Sequence, residues 1–365
     1  MAIACRTVVV NATGLRPERD GRSVTKLLEE IYRTKADMSI IVYATSDCQD
    51  QFKDILSGDS VRWVSNLMHF PVLGIAARIL YANILALRHR GSLLIAASLP
   101  EASLISRDQV ITLDGTELDH RFLLFFYRKA LKTARSIITQ STFSKNRLIR
   151  LLKVETRKVH VIPQGVQSWP FVLPILADAR EPGFILCNPG KSIDALLDSF
   201  RHIAVPHKLV VLGVSRRERK KVDLSLSHRV LFQDEISEID RVRLLQTASV
   251  LVSLTETEDR HHLVLEAMAS GCPVIVSNVE FFHELCGESA VYVNPRNGGE
   301  IAHALASLLC ESPLRQTLVS GGLSRTRTRT WTISARKHID LLTNILDQNL
   351  PVARTGENIR RRQRQ

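Results

Sequence analysis

Short apolar runs alternate with longer helical patterns along most of the chain. The runs are about four to eight residues long and rich in Val and Ile, which is typical of buried parallel strands. Between them, apolar residues recur at helical spacing. Strands are predicted at residues 7–10, 38–43, 92–97, 109–113, 184–187, 209–213, 229–232, 250–254 and 274–276. Helices are predicted at 24–33, 70–90, 122–134, 239–248, 263–269, 300–309, 314–321 and 334–345. This alternation indicates an α/β fold with parallel sheets.

One strand-helix-strand unit, at residues 249–279, is especially clear. A strand at 250–254 leads through a charged loop into the helix at 263–269. Gly271 and Pro273 end that helix, because glycine suits the position after the last turn and proline cannot continue a helix. The loop that leaves the first strand therefore lies at the carboxyl edge of its sheet, where open α/β domains bind ligands.

Two carboxylates bracket this loop. Glu258 lies in the loop, and Glu266 falls eight positions later, near the start of the helix. A glutamate here can accept hydrogen bonds from hydroxyl groups, while the free N–H groups of a helix start favour a phosphate. Hydroxyl groups and a diphosphate together suggest a nucleotide sugar.

The residues around these carboxylates resemble a known family. Glu258-x7-Glu266 and the run Ala267-Met268-Ala269-Ser270-Gly271-Cys272-Pro273-Val274 are similar to the E-x7-E signature and the EAMA-S/C-G-x-PV continuation of the retaining glycosyltransferases of family four. Two acidic residues eight positions apart are common by chance. The match is specific because of the run that follows Glu266. The resemblance implies the GT-B fold, with two Rossmann-like domains whose parallel sheets face each other across a cleft.

The resemblance also divides the chain. It implies an acceptor-side domain at 1–170, a nucleotide-sugar-binding domain at 183–335, a helix at 336–352 that packs back on the first domain, and a disordered basic tail at 353–365. Prolines and a lack of periodicity between the two domains indicate a linker.

The resemblance implies roles for three residues of the second domain. By resemblance, Glu266 holds the ribose hydroxyls, Glu258 contacts the donor sugar, and Lys191 neutralises the diphosphate. The leaving phosphate would then assist attack from the same face of the sugar. Stabilisation of that leaving charge by fixed dipoles and a lysine is the main catalytic effect that we expect.

Three residues of the first domain are further candidates. Gly14 and Gly21 lie in the loop after the first strand, where a glycine permits close approach of the backbone to a ligand. The family has a glycine-containing loop here, near the donor diphosphate and the acceptor. Asp114 follows the strand at 109–113, where the family usually has a His-Asp pair near the reacting sugar, although Leu113 replaces the histidine. Asp114 has an alternative role as a cap of the following turn.

The chain departs from the family pattern in two more places. Lys191 has no arginine beside it, and the loss of one cation from a diphosphate site removes a contact worth on the order of 1.5 to 3 kcal/mol. Asp259-Arg260-His261-His262-Leu263 replaces the usual Gly-Phe-Gly-Leu-Pro. His261, His262 and Leu263 are therefore candidate donor contacts, with the histidines as hydrogen-bond donors. Two adjacent histidines supply too few ligands for zinc, and the family implies no metal and no cofactor.

Composition and charge narrow the setting. The 365 residues have room for two domains, and 45% hydrophobic and 24% charged residues are ordinary for a globular protein. Six cysteines without a C-x-x-C pair predict reduced thiols in a cytosolic protein. The first ten residues do not resemble a signal peptide, and no apolar stretch reaches the roughly 18 residues of a membrane span. We therefore expect a cytoplasmic location, with peripheral contact to the inner face of a membrane as an option.

Net charge is +12, and it is concentrated in the first half. Residues 1–170 hold 24 Lys and Arg against 15 Asp and Glu, which suits an acidic or membrane-surface partner. The helix at 70–90 is apolar with basic residues at one end. It either packs inside the first domain or lies on an anionic membrane. Charge alone also suggests nucleic acid, but no recognition motif supports that partner.

These features predict a metal-independent enzyme. It would move a sugar from a nucleotide diphosphosugar, with a mannose-like donor on GDP as one option, to a saccharide or a lipid-linked saccharide. The setting would be synthesis of a bacterial surface polysaccharide or lipopolysaccharide. The alternative is a catalytically silent protein of the same fold that acts as a scaffold or regulator of another transferase, because Leu113, the missing arginine and the altered loop depart from the family pattern.

Overall fold

The structure is a computed structural model. It describes residues 7–15, 21–34, 38–52, 60–66, 73–113, 115–119, 121–167, 183–190, 193–203, 206–213, 219, 226–233, 237–258, 261–310 and 312–349.

The first sheet has seven parallel strands in the order β3-β2-β1-β4-β5-β6-β7. The strands are β1 Thr7–Ala12, β2 Ser39–Thr45, β3 Val61–Val64, β4 Leu93–Ala96, β5 Gln109–Leu113, β6 Ser136–Thr139 and β7 Val159–Val161. Val9 pairs with Ile41 on one side and Leu94 on the other, so β1 lies at the centre of the sheet. Its apolar run suits that place, since a central parallel strand is covered on both faces.

The second sheet has six parallel strands in the order β10-β9-β8-β11-β12-β13. The strands are β8 Phe184–Asn188, β9 Lys208–Leu212, β10 Val230–Gln233, β11 Val250–Ser253, β12 Val274–Ser277 and β13 Val291–Val293. All four residues of β11 and of β12 are buried, as expected for strands that begin with three apolar residues in the middle of a parallel sheet.

Helices cover both faces of both sheets. They are α1 Gly21–Arg33, α2 Gln49–Phe52, α3 Leu73–Arg88, α4 Arg121–Thr133, α5 Thr142–Leu152, α6 Ile193–His202, α7 Glu238–Thr247, α8 His261–Ala269, α9 Glu280–Cys286, α10 Gly298–Cys310, α11 Ser312–Arg327 and α12 Trp331–Asn349. In the first sheet, Val8 and Val10 face α1 and α12, while Val9 faces α3, as the alternation of side chains along a strand requires. The predicted architecture of two Rossmann-like domains with parallel sheets is confirmed.

Helix α12 packs against the first domain. Ala335, Leu342 and Ile345 lie in the same core as β1 and α1. The turn before α12 is also fixed there, because Val166 N donates to Arg329 O at 2.7 Å. A Cβ at Gly165 would overlap the backbone of Trp331, so this approach needs glycine. The helix begins at Trp331, five residues before the predicted boundary at 336. The predicted linker and basic tail lie outside the described residues.

Helix α11 is longer than the sequence pattern predicts. Helix α11 runs to Arg327 instead of 321, through Gly321 and Gly322. Tertiary contacts explain why glycines are tolerated inside it, because Gly321 faces Ser289 and Gly322 packs on Met268. Packing here outweighs the low helix propensity of glycine.

Helix α3 is partly a packing helix and partly exposed. Ala82 and Leu85 are buried against the first sheet, while Leu80, Ile84 and Leu87 are exposed. Among the described residues, no helix is both long and apolar enough to cross a membrane.

Candidate active site

The loop between β11 and α8 connects the second sheet to the first domain. It begins at Ser253, the carboxyl end of β11, and brings Glu258 to the amino end of α5. Ser141 and Ser144 donate hydroxyl hydrogen bonds to the two carboxylate oxygens of Glu258, each at 2.5 Å. Glu258 is only 4% exposed. The predicted donor-sugar residue thus lies between the domains, with its carboxylate held by the first domain.

Gly115 is in close contact with the same carboxylate. It starts a turn of 3₁₀ helix, Gly115–Asp119, directly beyond β5. A Cβ at this position would overlap the carboxyl group of Glu258. Leu113, which stands where the family has histidine, is buried in the core under α4. Asp114 lies between these two residues and outside the described part of the chain, so its role stays a prediction.

Buried polar atoms without partners collect at the carboxyl edge of the second sheet. Among the described residues, four side-chain atoms here make no hydrogen bond although they are buried. They are Asn188 Nδ2, Ser253 Oγ, Thr255 Oγ1 and Ser277 Oγ. Asn188, Ser253 and Ser277 end the three adjacent strands β8, β11 and β12. Because buried polar groups are nearly always paired in proteins, this edge is suited to a polar ligand or to ordered water.

The turn after β8 approaches this group of atoms closely. Gly190 has a φ of +56°, and a Cβ there would be in tight contact with Thr255. The left-handed backbone and the lack of space both favour glycine. Lys191, the next residue and the predicted diphosphate ligand, lies outside the described residues.

Glu266 lies on α8 and forms an ion pair with Arg241 of α7. Arg241 Nε and Nη2 donate to the two oxygens of Glu266 at 2.7 and 2.9 Å. The sequence analysis missed Arg241, since nothing in the motif indicates a partner 25 positions earlier. In the sequence, Arg241 can be recognised only as an arginine of the helix predicted at 239–248.

A third carboxylate, Glu284 of α9, also reaches the first domain. Its oxygens accept hydrogen bonds from the backbone N–H groups of Thr142 and Phe143 at 2.7 and 2.9 Å. Arg325 and Arg329 donate to its backbone carbonyl at 2.6 and 3.2 Å. Burial, and then the charge of Arg325, lower the pKa of Arg329.

The three altered loop residues have different surroundings. His261 begins α8, is buried, and its Nδ1 lies 2.8 Å from the carbonyl oxygen of Glu258. Its ring packs edge-on against Phe281. Leu263 is buried in the core of the second domain, so any donor contact from it would come from the backbone. For His261, His262 and Leu263 the donor contacts stay predictions.

Gly14 and Gly21 are separated by residues outside the described part of the chain. Gly14 follows β1, where a Cβ would overlap Glu101 and crowd Arg78. Glu101 is completely buried and pairs with Arg78 at 3.4 Å between Oε1 and Nη1. Gly21 is the first residue of α1. Packing against this ion pair therefore favours glycine at position 14, and a ligand contact of either glycine stays a prediction.

No group of three or more His, Cys, Asp or Glu in the described ranges is arranged to hold a metal ion. A cavity of about 430 Å³ does occur in the first domain, lined in part by Leu85, Arg90, Leu94 and Arg107. It lies where β4 and β5 begin, at the edge opposite the interdomain crevice. It is thus separate from the candidate active site.

Residues 184–311 match the family model described as Glycosyl transferases group 1. The matched region contains the second sheet, Glu258 and Glu266.

Two curated relatives are named O-antigen chain mannosyltransferases. The chain is 27% identical over 182 residues to the O-antigen chain mannosyltransferase RfbU of Salmonella typhimurium, covering 48% of this chain and 51% of the relative. It is 25% identical over 233 residues to the O-antigen chain mannosyltransferase B of Escherichia coli, covering 58% and 61%. The chain thus spans about half the length of the curated relatives it matches.

Solved structures match over nearly the whole chain. HepE of Anabaena, solved in complex with UDP and glucose, has a TM-score of 0.74 at 16% identity and covers 93% of this chain and 100% of that one. WaaG, a glycosyltransferase involved in lipopolysaccharide biosynthesis, has a TM-score of 0.67 at 15% identity, with coverage of 92% and 99%. At this identity the likeness establishes the fold, which is GT-B, as predicted.

Proposed function

We propose that the protein transfers a sugar from a nucleotide diphosphosugar to a saccharide or lipid-linked saccharide. The observation that carries the proposal is the carboxyl edge of the second sheet. There, four buried polar atoms without partners among the described residues lie on the same edge as the loop and helix that bear Glu258 and Glu266. Such an edge is the usual ligand site of an open α/β sheet. The match of residues 184–311 to a glycosyltransferase model supports the same reading.

Different residues contact different parts of the donor. Glu266, held by Arg241, accepts hydrogen bonds from the ribose hydroxyls. Glu258 contacts the sugar at the crevice, and Lys191 neutralises the diphosphate with help from the helix N-terminus of α8. Asp114, which stands where the family has its His-Asp pair, acts near the reacting sugar. The leaving phosphate assists attack from the same face, so the transfer retains the anomeric configuration.

The setting is synthesis of a bacterial surface polysaccharide or lipopolysaccharide. The names of the two O-antigen mannosyltransferases support this setting and a mannose-like sugar, for which GDP is the carrier that we propose. The UDP in the HepE complex makes a uridine nucleotide the alternative donor. In both cases fixed dipoles and Lys191 supply the stabilisation of the leaving charge, so we expect a metal-independent reaction. Activity that persists in excess EDTA would support this point.

Peripheral membrane contact through the first domain is part of the proposal. Helices α3 and α4 cover the same face of the first sheet, and Ile79 of α3 packs into the core beneath α4. We call the exposed apolar residues of these two helices the apolar face; they are Leu80, Ile84, Leu87, Phe122, Phe125 and Phe126. Exposed cations on the same helices include Arg88, Arg128, Lys129 and Lys132. Exposed apolar residues with cations on the same helices suit an anionic membrane, where a lipid-linked acceptor would be found.

The experiment is a transfer assay against a panel of nucleotide sugars, with the wild type and Glu258→Ala. We expect release of nucleoside diphosphate with one donor, and a loss of at least about a hundred-fold in Glu258→Ala, as for removal of a group that stabilises the transition state. Glu256→Ala is the matched control, because Glu256 lies in the same loop but is exposed. Equal and negligible rates for wild type and variant with every donor would favour a catalytically silent scaffold.

A further inference from the structure

The amino end of α5 is a receptor for two carboxylates of the other domain. Glu258 is bound by the hydroxyls of Ser141 and Ser144, and Glu284 by the N–H groups of Thr142 and Phe143. The start of a helix carries a partial positive charge, which stabilises nearby anions. A single turn of the first domain therefore binds two acidic side chains of the second.

The hydroxyl group of Ser141 is directed by its own helix. Ser141 is the N-cap of α5, and its Oγ accepts the N–H of Ser144 at 2.9 Å. The N–H of Ser144 binds a lone pair of this oxygen, so the hydroxyl proton remains available for a hydrogen bond to Glu258. Ser144 donates to the second oxygen of the same carboxylate. Two donors with fixed directions thus set both the position and the plane of the Glu258 carboxylate.

All four of these hydrogen bonds join the two domains. The donors belong to α5 and its N-cap, and the acceptors to the β11–α8 loop and α9. Any opening of the crevice that moves the loop away from α5 must break them together. In the open state Glu258 would therefore lose the contacts that orient it.

We propose that Ser141 and Ser144 are positioning residues, which align Glu258 for transfer only when the two domains are closed. This inference rests on the proposed function, because Glu258 must act on the donor sugar for its alignment to matter. Glu284 has a different role. It strengthens closure by accepting hydrogen bonds from the backbone N–H groups of α5, and it does not touch Glu258 in the described contacts. Closure and the alignment of the carboxylate are thereby coupled through one helix end.

The test is the double variant Ser141→Ala/Ser144→Ala. Its kcat should fall by at least about ten-fold, the effect of one lost hydrogen bond to a charged group, while KM for the donor changes little, because alignment acts mainly in the transition state. The single variant Ser141→Thr retains a hydroxyl and the N-cap, so its kcat should stay close to that of the wild type. Ser136→Ala, at the buried start of β6, is the control for loss of a buried serine. A double-variant kcat equal to that of Ser136→Ala would overturn the inference.

A second measurement does not depend on activity. Hydrogen exchange read by mass spectrometry should become faster in the peptide covering residues 254–258 of the double variant, although both substitutions are in the other domain. Faster exchange confined to α5 would mean that the serines only cap their own helix, and would overturn the inference. If the wild type transfers no sugar from any donor, the proposed function fails, and this exchange measurement still decides whether the serines hold the loop.

Discussion

Arg241 and Glu266 form an ion pair with two nearly parallel contacts. The distances are 2.7 Å between Nε and Oε2 and 2.9 Å between Nη2 and Oε1. Both side chains are less than one-fifth exposed, at 18% and 19%. A guanidinium that binds both oxygens fixes the plane of a carboxylate as well as its charge. Arg241 therefore fixes the orientation of the Glu266 carboxylate.

Replacing Arg241 by lysine tests this relationship. Arg241→Lys keeps the positive charge but loses the paired geometry. We expect the donor KM to rise by about ten-fold, with a smaller change in kcat, since one charge-assisted contact is worth roughly 1.5 kcal/mol or more. Steady-state kinetics with the donor identified in the transfer assay measure both constants. Arg243→Lys, on the same helix but in an exposed pair with Asp240, should leave KM unchanged. Equal KM values for the two variants would argue against a role for Arg241.

Gly115 provides a steric test of the crevice. The added methyl group of Gly115→Ala would overlap the Glu258 carboxylate and displace it from Ser141 and Ser144. We expect a loss of kcat of at least about ten-fold, because a carboxylate misplaced by about 1 Å is poorly aligned for reaction. Gly299→Ala is the control, since its nearest neighbour is only the side chain of Asn297. Wild-type activity in Gly115→Ala would show that the position of Glu258 does not limit transfer.

His338 gives a pH dependence that is separate from the active site. Burial in α12 lowers its pKa to about 4, and its Nδ1 lies 2.8 Å from Ser334 O. Between about pH 4 and about pH 6.5, His338 therefore stays neutral in the folded protein. In the unfolded chain the same histidine has an ordinary pKa near 6.5 and takes up a proton in this range. Stability is highest above about pH 6.5 and decreases as the pH falls towards 4.

The variant His338→Gln isolates this contribution. Between about pH 8 and about pH 5 the wild type should lose roughly 2 kcal/mol more free energy of unfolding than His338→Gln, which does not titrate. Urea unfolding at the two pH values gives both numbers, and the subtraction removes the effects of other titrating groups. An equal loss in the two proteins would mean that His338 can be protonated in the folded state.

The apolar face predicts binding to anionic membranes. Phe125 is 75% exposed, and its transfer into the interface should contribute on the order of 1.5 kcal/mol, or about ten-fold in affinity. Phe125→Ser should therefore bind vesicles with 30% anionic lipid about ten-fold more weakly in a sedimentation assay. Ile239→Ser, an exposed apolar position of the second domain, should bind as the wild type does. Absence of vesicle binding together with a stable dimer in solution would assign this face to a second copy instead.

Much of the fold could be predicted because many of its strands are encoded locally. The buried run of β5 was predicted with its observed bounds, Gln109–Leu113, since an apolar strand between polar turns has few alternatives. Helix ends were less predictable. The glycines inside α11 are stabilised by contacts with Ser289 and Met268, which lie far away in sequence.

The candidate site was predictable only in part. The spacing of Glu258 and Glu266 on one loop and one helix is a local property, so it could be seen in the sequence. Their partners could not, because Ser141, Ser144 and Arg241 meet them only after the chain has folded. Glu284 likewise meets Thr142 and Phe143 only in the folded structure.

Binding of nucleoside diphosphates is the most direct test of the central claim, that the carboxyl edge of the second sheet holds a sugar nucleotide through Glu266. Isothermal titration of GDP and UDP should be performed with the wild type, Glu266→Gln and the exposed loop variant Glu256→Gln. We predict that the wild type and Glu256→Gln bind one of the two nucleotides equally well, and that Glu266→Gln binds it about ten-fold more weakly, as expected for a lost hydrogen bond to a charged group. Equal affinity in Glu266→Gln, or no binding of either nucleotide to the wild type, would contradict the account.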